Sequence, residues 1–223
     1  MIMNDPGKIR VLLVDDHPLV RLGLFQLINQ QPDMEVTGQA EDAPQALDLM
    51  ESAAPQVILI DLSLNKDMGG IELIKDIKVR WPEQIMLVLS MYDEAVFAER
   101  ALKAGARGYV MKEEAMEIVL SAIRRVARGD IWVSSRMARK MISSVVGGGG
   151  DKIRFPTDRL TDRELEVLQL IGRGIKTKQI AEKLHLSVKT VETYRQRLKE
   201  KLRLPDSAAL LEFAVQWMGS EGK

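Results

Sequence analysis

The sequence contains no cysteine, which excludes a disulfide framework, a thiolate metal site and cysteine catalysis together. It has no apolar run near the ~18 residues that a membrane span requires. Its start, MIMNDPGKIR, lacks the apolar stretch of a secretory signal, so the expected location is the cytoplasm. Internal repeats and long low-complexity tracts are absent as well. Net charge is missing too: 32 Lys and Arg stand against 32 Asp and Glu over 223 residues. What remains is an ordinary globular composition, 46% apolar and 29% charged. The length suits one large domain or two of common size.

The zero balance is a cancellation. Residues 1–130 hold 14 Lys and Arg against 21 Asp and Glu, while residues 131–223 hold 18 against 11. Within 173–203 the count is 10 cations against 3 acids, so one short stretch carries the whole positive excess. An acidic half joined to a half with a basic cluster points to two tasks, one of them at nucleic acid.

In the acidic half, short aliphatic runs alternate with helical periodicity. Arg10–Val14, Val57–Ile60 and Ile85–Leu89 are nearly pure aliphatic, as strands buried on both faces of a parallel sheet must be. Met34–Thr37 and Gly108–Met111 have weaker strand character. Helical stretches run over Pro18–Gln31, Pro44–Ser52, Ile71–Trp81, Glu94–Ala104 and Met116–Arg128. Their Glu-rich starts and Lys/Arg-rich ends suit the helix dipole. This fivefold alternation predicts an α/β domain over 1–130. Residues 131–157 read as a linker, with one helix at Ser134–Val146 and a flexible tether at Gly147–Gly150. From Thr161 onward only helical periods occur. A capping box, Thr161 with Glu164, opens a helix over Asp162–Arg173. Thr177–Leu184 follows, then a helix capped by Ser187 that runs to Leu202 before Pro205, then Ser207–Met218. Residues 158–223 thus form an all-α domain.

Parallel strands all point one way, so the residues just past their carboxyl ends meet along one edge. Those residues are Asp15 and Asp16, Asp61, Ser90 and Lys112. Close carboxylates raise one another's pKa unless a cation holds them. An all-oxygen donor set with room for water and phosphate suits Mg²⁺. A lone carboxylate such as Asp61 is also a nucleophile toward phosphorus, with Lys112 and Ser90 placed to hold phosphoryl oxygens. Taken singly, each residue has an ordinary explanation: Asp as a helix cap, Ser as a cap, Lys as a solvated side chain. Their joint occurrence at four strand ends is what points to a site. His17, beside Pro18 at a helix start, reads as local structure, and the twelve methionines as core filler.

Residues 8–128 resemble a two-component receiver domain. The resemblance rests on Val14-Asp-Asp-His-Pro18, Ile60-Asp61-Leu62, Leu89-Ser90 and Gly108-Tyr-Val-Met-Lys112. It implies a flavodoxin-like fold with five parallel strands in the order 2-1-3-4-5. It also implies Asp61 as phosphoacceptor, Asp16 as a direct Mg²⁺ ligand, Asp15 as a ligand through water, and Ser63 contributing its carbonyl. Lys112 then pairs with the phosphoryl group, and Ser90 and Tyr109 form a switch pair. The sequence departs from the family in the loop before Gly70, which is one residue longer and has Asn65 where proline is usual. Met91 also replaces a small residue after Ser90.

In the basic half, Ile180–Val191 has a short helix, a tight turn and a capped second helix, which is helix-turn-helix spacing. Ala181 allows close helix approach, with Leu186 and Val191 in the small core. The second helix exposes Lys189, Thr190, Glu192, Thr193, Arg195, Gln196 and Arg197, cations and polar side chains suited to phosphates and base edges. Leu160-Thr-Asp-Arg-Glu-Leu-Glu-Val-Leu168, Gly174, Lys178-Gln-Ile-Ala181, Leu186-Ser187, Thr190-Val191 and Lys201-Leu202 are similar to a LuxR/NarL-type DNA-binding domain. That similarity implies that Glu192, Thr193 and Gln196 face base edges, while Lys178, Ser187, Lys189, Thr190, Tyr194 and Arg197 touch the backbone. Lys176-Thr177, Tyr194 and Glu192 differ from common family residues, so relatives do not supply the target sequence. On the last helix, Leu211, Val215 and Met218 share a face on which relatives dimerise when bound to DNA.

The combined expectation is a response regulator transcription factor. It accepts phosphate from a sensor histidine kinase and binds double-stranded promoter DNA, as a homodimer when phosphorylated or DNA-bound. An aspartyl-phosphate phosphatase normally carries a second acid two residues after its nucleophile; Ser63 stands there, so no enzyme is expected. The alternative is a constitutive DNA-binding regulator whose receiver is only a scaffold. Against it, all five site residues are present. Attraction between the acidic and basic halves is the expected restraint on the unphosphorylated protein.

Overall fold

Strands that are aliphatic along their whole length have no face to give to water, so they stack into a sheet covered on both sides. The computed structural model describes residues 7–64, 69–146, 156–184 and 186–221 and contains such a sheet. Its strands are β1 (Ile9–Val14), β2 (Met34–Ala40), β3 (Val57–Ile60), β4 (Ile85–Ser90) and β5 (Gly108–Met111). All pairs are parallel, in the order β2-β1-β3-β4-β5, which is the expected one. Between and after them lie α1 (Pro18–Asn29), α2 (Ala43–Ala53), α3 (Gly70–Arg80), α4 (Glu94–Ala104) and α5 (Met116–Ala127).

Strand alternation divides the core into two layers. Val11, Leu13, Val57, Leu59, Leu87, Leu89 and Val110 pack with Leu24 and Ile28 of α1 and with Val119, Ile123 and Val126 of α5. Leu12, Ile58, Ile60, Met86, Val88 and Tyr109 are equally buried and point to the other side, where α2, α3 and α4 lie. Acidic starts and basic ends hold for α3 (Glu72; Lys78, Arg80), α4 (Glu94; Lys103) and α5 (Glu117; Arg124, Arg125). They fail for α1 and α2, which have neither. Proline in the first turn, Pro18 and Pro44, starts those two helices instead, its fixed φ already suiting a helix.

The chain divides into two compact units, residues 1–141 and 142–223. Helix α6 (Ser135–Val146) spans that division, and the glycine run Gly147–Gly150 lies outside the described residues, as does Asn65. In the second unit a 3₁₀ turn over Pro156–Arg159 leads into α7 (Asp162–Gly172), α8 (Thr177–Lys183), α9 (Val188–Leu202) and α10 (Ser207–Glu221). Their core includes Leu165, Leu168, Ile180, Ala181, Val191, Leu198, Leu210, Ala214 and Trp217. Leu184 is buried at the turn between α8 and α9, while Leu186, expected in the core, is only half-buried. The turn closes through Leu186 N donating to the Ala181 carbonyl at 2.8 Å, which leaves the Leu186 side chain at the rim.

The capping box that opens α7 is present and extends further than its sequence signature shows. Glu164 N donates to Thr161 Oγ1 at 3.3 Å, and Glu164 Oε2 accepts from Thr161 N at 2.8 Å. The same oxygen accepts from Lys201 Nζ at 2.6 Å, which joins the end of α9 to the start of α7. Burial opposes ionisation of Glu164, yet the bonds from Lys201 and Thr161 outweigh it and hold the carboxyl below its ordinary value of 4.5. A depressed carboxyl contributes stability above its unfolded pKa and loses it as pH falls through the folded one. The expected behaviour of this unit is thus a decline in stability below about pH 4.5. Lys201→Met removes the only cation bonded to this buried carboxylate among the described residues. It is expected to cost about 1.5–3 kcal/mol in urea unfolding at pH 7, with the loss shrinking once Glu164 is protonated.

Candidate functional site

The carboxyl ends of β1, β3, β4 and β5 meet where the topology requires. Asp15 N donates to the Ala40 carbonyl at 3.1 Å, Asp61 N to Val14 at 2.8 Å and Lys112 N to Ser90 at 2.8 Å. The strand ladder therefore fixes the backbone of three site residues directly. Ser90 is the last residue of β4 itself, fully buried. Gly70 closes the site from behind: a Cβ there would overlap the Asp61 carbonyl and the Leu62 Cα, so only glycine fits.

The side chains converge. Lys112 Nζ lies 2.6 Å from Asp61 Oδ2 and 2.7 Å from Asp15 Oδ2, with all three side chains almost wholly buried. Burial, followed by the Asp61 charge, pushes the Asp15 carboxyl above its ordinary value, and Lys112 opposes the rise. Burial works to lower the Lys112 pKa, but the Asp61 and Asp15 carboxylates outweigh it and keep the ammonium charged. Ser63 donates twice to Asp61, from N at 3.1 Å and from Oγ at 2.7 Å. Arg21 of α1 donates from Nη1 to the Asp15 carbonyl.

His17 borders the same carboxylates. It stands at the N-cap of α1 without capping it by side chain, and its Nδ1 is 2.7 Å from Asp16 Oδ1 and 3.3 Å from Asp15 Oδ1. Donor atoms of Asp15, Asp16, His17 and Asp61 lie within 4.8 Å of one another. Three carboxylates against one ammonium leave this cluster short of positive charge, and its oxygen donors are hard. This hard-oxygen donor set fits a divalent cation such as Mg²⁺. Nothing in the sequence besides adjacency to Asp16 signalled that the imidazole joins the carboxylates.

Tyr109 is buried with its hydroxyl donating to the Tyr92 carbonyl at 2.8 Å, and burial pushes its phenol pKa well above 10.0. Ser90 Oγ accepts from Tyr92 N at 3.1 Å. Ser90 and Tyr109 thus bracket the turn that leads into α4. Met91 is half-exposed beside them.

On the second unit, α8, the α9 cap and α9 carry the expected polar residues. Lys178, Ser187, Lys189, Glu192, Thr193, Gln196 and Arg197 are exposed, and Thr190, Tyr194 and Arg195 half-buried. Several are engaged within the helix. Ser187 caps it by accepting from Thr190 N at 3.0 Å, Thr193 Oγ1 donates to the Lys189 carbonyl at 3.0 Å, and Gln196 Nε2 donates to Glu200 Oε1 at 2.8 Å. On α10, Leu210, Ala214 and Trp217 face the core. Leu211 and Val215 are exposed, and Met218 packs by Gly172. No described helix is long and apolar enough to cross a membrane.

Two family models match the chain, one within each unit. Residues 11–124 match the response regulator receiver domain, and residues 158–214 match the luxR family of bacterial regulatory proteins. The chain is 35% identical over 210 residues to the oxygen regulatory protein NreC of Staphylococcus carnosus (strain TM300), spanning 93% of this chain and 97% of that one. RcsB from Salmonella enterica serovar Typhimurium, solved on promoter rprA with the phosphomimetic BeF3-, shares 28% identity. It covers 93% of this chain and 98% of its own, with a TM-score of 0.60. A structure of two RcsB dimers bound to two parallel DNAs shares 27% identity, covers 92% and 97%, and has a TM-score of 0.56.

Mg²⁺ at a hundred times its Kd is expected to stabilise the receiver by about 2.7 kcal/mol, read as a rise in thermal midpoint that EDTA reverses. Asp16→Asn should weaken that effect at least ~10-fold in Mg²⁺ concentration, about 1.4 kcal/mol.

Proposed function

Because the chain belongs to the LuxR-type response regulators, whose transcription regulation depends on phosphorylation, we propose that Asp61 is the residue that takes the phosphoryl group. The observation that carries this reading is the Asp61 carboxylate. It is 1% exposed at a strand end, held by Ser63, paired with Lys112 and flanked by two further carboxylates. A carboxylate oxygen of Asp61 attacks phosphorus in line, the bond to the donor's leaving group breaks, and an acyl phosphate results. Lys112, shared between Asp15 and Asp61, turns to the new phosphoryl oxygens. Ser90 offers its hydroxyl to one of them. Asp15, Asp16, Asp61 and the Ser63 carbonyl would hold Mg²⁺, which when bound would supply the positive charge that offsets a second anion.

The donor is a sensor histidine kinase, and the acceptor surface of the second domain is double-stranded promoter DNA. Glu192, Thr193 and Gln196 read base edges in the major groove, while Lys178, Ser187, Lys189, Thr190, Tyr194 and Arg197 hold the sugar-phosphate backbone. RcsB is found on DNA as dimers. The exposed Leu211 and Val215 on α10 supply an apolar face for the same arrangement here. These roles place the protein in the cytoplasm, with residues 1–130 as receiver, 131–157 as linker and 158–223 as DNA-binding domain.

Asp61→Asn keeps the shape of the site and removes the nucleophile. Incubated with acetyl phosphate and Mg²⁺, the wild type is expected to gain one phosphoryl mass and the variant none; labelling of the variant at the wild-type rate contradicts the assignment. DNA affinity should fall steeply with salt. Arg197→Ala is expected to weaken all duplexes about equally. Gln196→Ala should relax preference at one base pair by about 1–3 kcal/mol, and an unchanged preference would remove its base-reading role.

A further inference from the structure

The chain leaving α5 does not go straight to the linker helix. It turns at Gly129 and returns to β5, the strand at the edge of the sheet. There Trp132 N donates to the Arg107 carbonyl at 3.0 Å and Tyr109 N to the Trp132 carbonyl at 2.8 Å, a parallel bridge between Gly108 and Trp132. Gly108 is what permits it, since a Cβ would come within 2.7 Å of the Trp132 oxygen. The Trp132 ring packs against the receiver core with the Arg125 guanidinium 5.5 Å from its centroid. Two residues later Ser134 N donates to the Glu94 carboxylate at 2.7 Å, at the first turn of α4. Ser134 Oγ in turn accepts from Met137 N at 3.1 Å, and Met137 is buried. Residues 131–134 are therefore pinned at one end to β5 and at the other to α4, and they begin α6.

Those two anchors sit on either side of the Ser90–Tyr109 pair. Tyr109 is itself the β5 anchor through its backbone N. The turn from Ser90 to Glu94 contains Tyr92, whose carbonyl holds the Tyr109 hydroxyl and whose ring lies 5.0 Å from that of Phe97 on α4. Were the Ser90 turn to shift toward a phosphoryl group on Asp61, Glu94 would move relative to β5, and the Ser134–Glu94 bond spans the two. We infer that residues 131–134 are a strap that closes on α4 in the unphosphorylated receiver and opens on phosphorylation, releasing the first turn of α6 as the output of the switch. This inference rests on the assignment of Asp61 above. It supplies the two-state element that coupling between sites needs.

The test uses the full-length protein with and without acetyl phosphate and Mg²⁺. Amide hydrogen exchange is read at Tyr109, Trp132 and Ser134. The Ser134 amide is expected to exchange at least ~10-fold faster in the phosphorylated form while Tyr109 and Trp132 stay protected. Equal Ser134 rates in the two forms overturn the strap. Glu94→Ala removes the acceptor and Glu94→Gln keeps one. Unphosphorylated Glu94→Ala is expected to bind DNA as tightly as phosphorylated wild type, on a duplex selected from a random-sequence pool by phosphorylated wild-type protein. Glu94→Gln should behave as wild type. Wild-type-weak binding by unphosphorylated Glu94→Ala also overturns the inference. A wild type that gains no phosphoryl mass defeats the Asp61 assignment and the strap with it, whereas equal Ser134 rates in fully phosphorylated and unphosphorylated wild type overturn the strap alone.

Discussion

One ammonium between two buried carboxylates is the interaction on which the rest of the receiver depends. Lys112 bonds Asp15 and Asp61 at once, and removing it leaves two buried carboxylates without their counter-charge, which is far costlier than a lost surface pair. To bring those groups together the chain needs β1, β3 and β5 parallel and ending level, hence crossover helices, hence the aliphatic strands that such a doubly covered sheet demands. The arrangement is also incomplete. With Asp16 included, the cluster carries more negative than positive charge, so a divalent cation and then a phosphoryl group have electrostatic reason to enter. The same tension that makes the site expensive to build makes it responsive.

Much of this was legible in the sequence because its signals are local. Pure aliphatic strands such as Val57–Ile60 declare burial on both faces, and the residues just beyond them declare the site. The capping box at Thr161 and the Ser187 cap announced α7 and α9. What escaped depended on contacts far along the chain. Lys201 counted in sequence as one more cation for DNA, whereas it bonds Glu164 across 37 residues. Leu186 is the core candidate by sequence, and the path of the turn buries Leu184 instead. His17 joins the carboxylates because α1 starts immediately after them. The return of Trp132 to β5 has no periodic signature at all, since a single bridge is too short to show alternation. Helix-dipole patterning was read too generally, as α1 and α2 start on proline.

Two domains of opposite charge on one chain separate the chemistry from the recognition. The receiver handles anions at a strand-end pocket, and the second domain presents cations and amide groups on α9. Two side chains that face solvent on α9 are already tied within the helix, Thr193 to the Lys189 carbonyl and Gln196 to Glu200. Such bonds hold rotamers in place before DNA arrives, which reduces the ordering that binding must impose. A regulator of this kind needs a difference in free energy between two receiver states that the DNA-binding domain can sense, and a ligand shifts such an equilibrium only by its preference for one state.

The most direct measurement is the affinity of full-length protein for one selected duplex as the fraction of phosphorylated chains, determined by intact mass, is raised from none to all. Affinity should climb in step with that fraction for the wild type and stay at its starting value for Asp61→Asn. Equal affinity at every level of phosphorylation would contradict a phosphorylation-controlled regulator and leave the receiver as a scaffold.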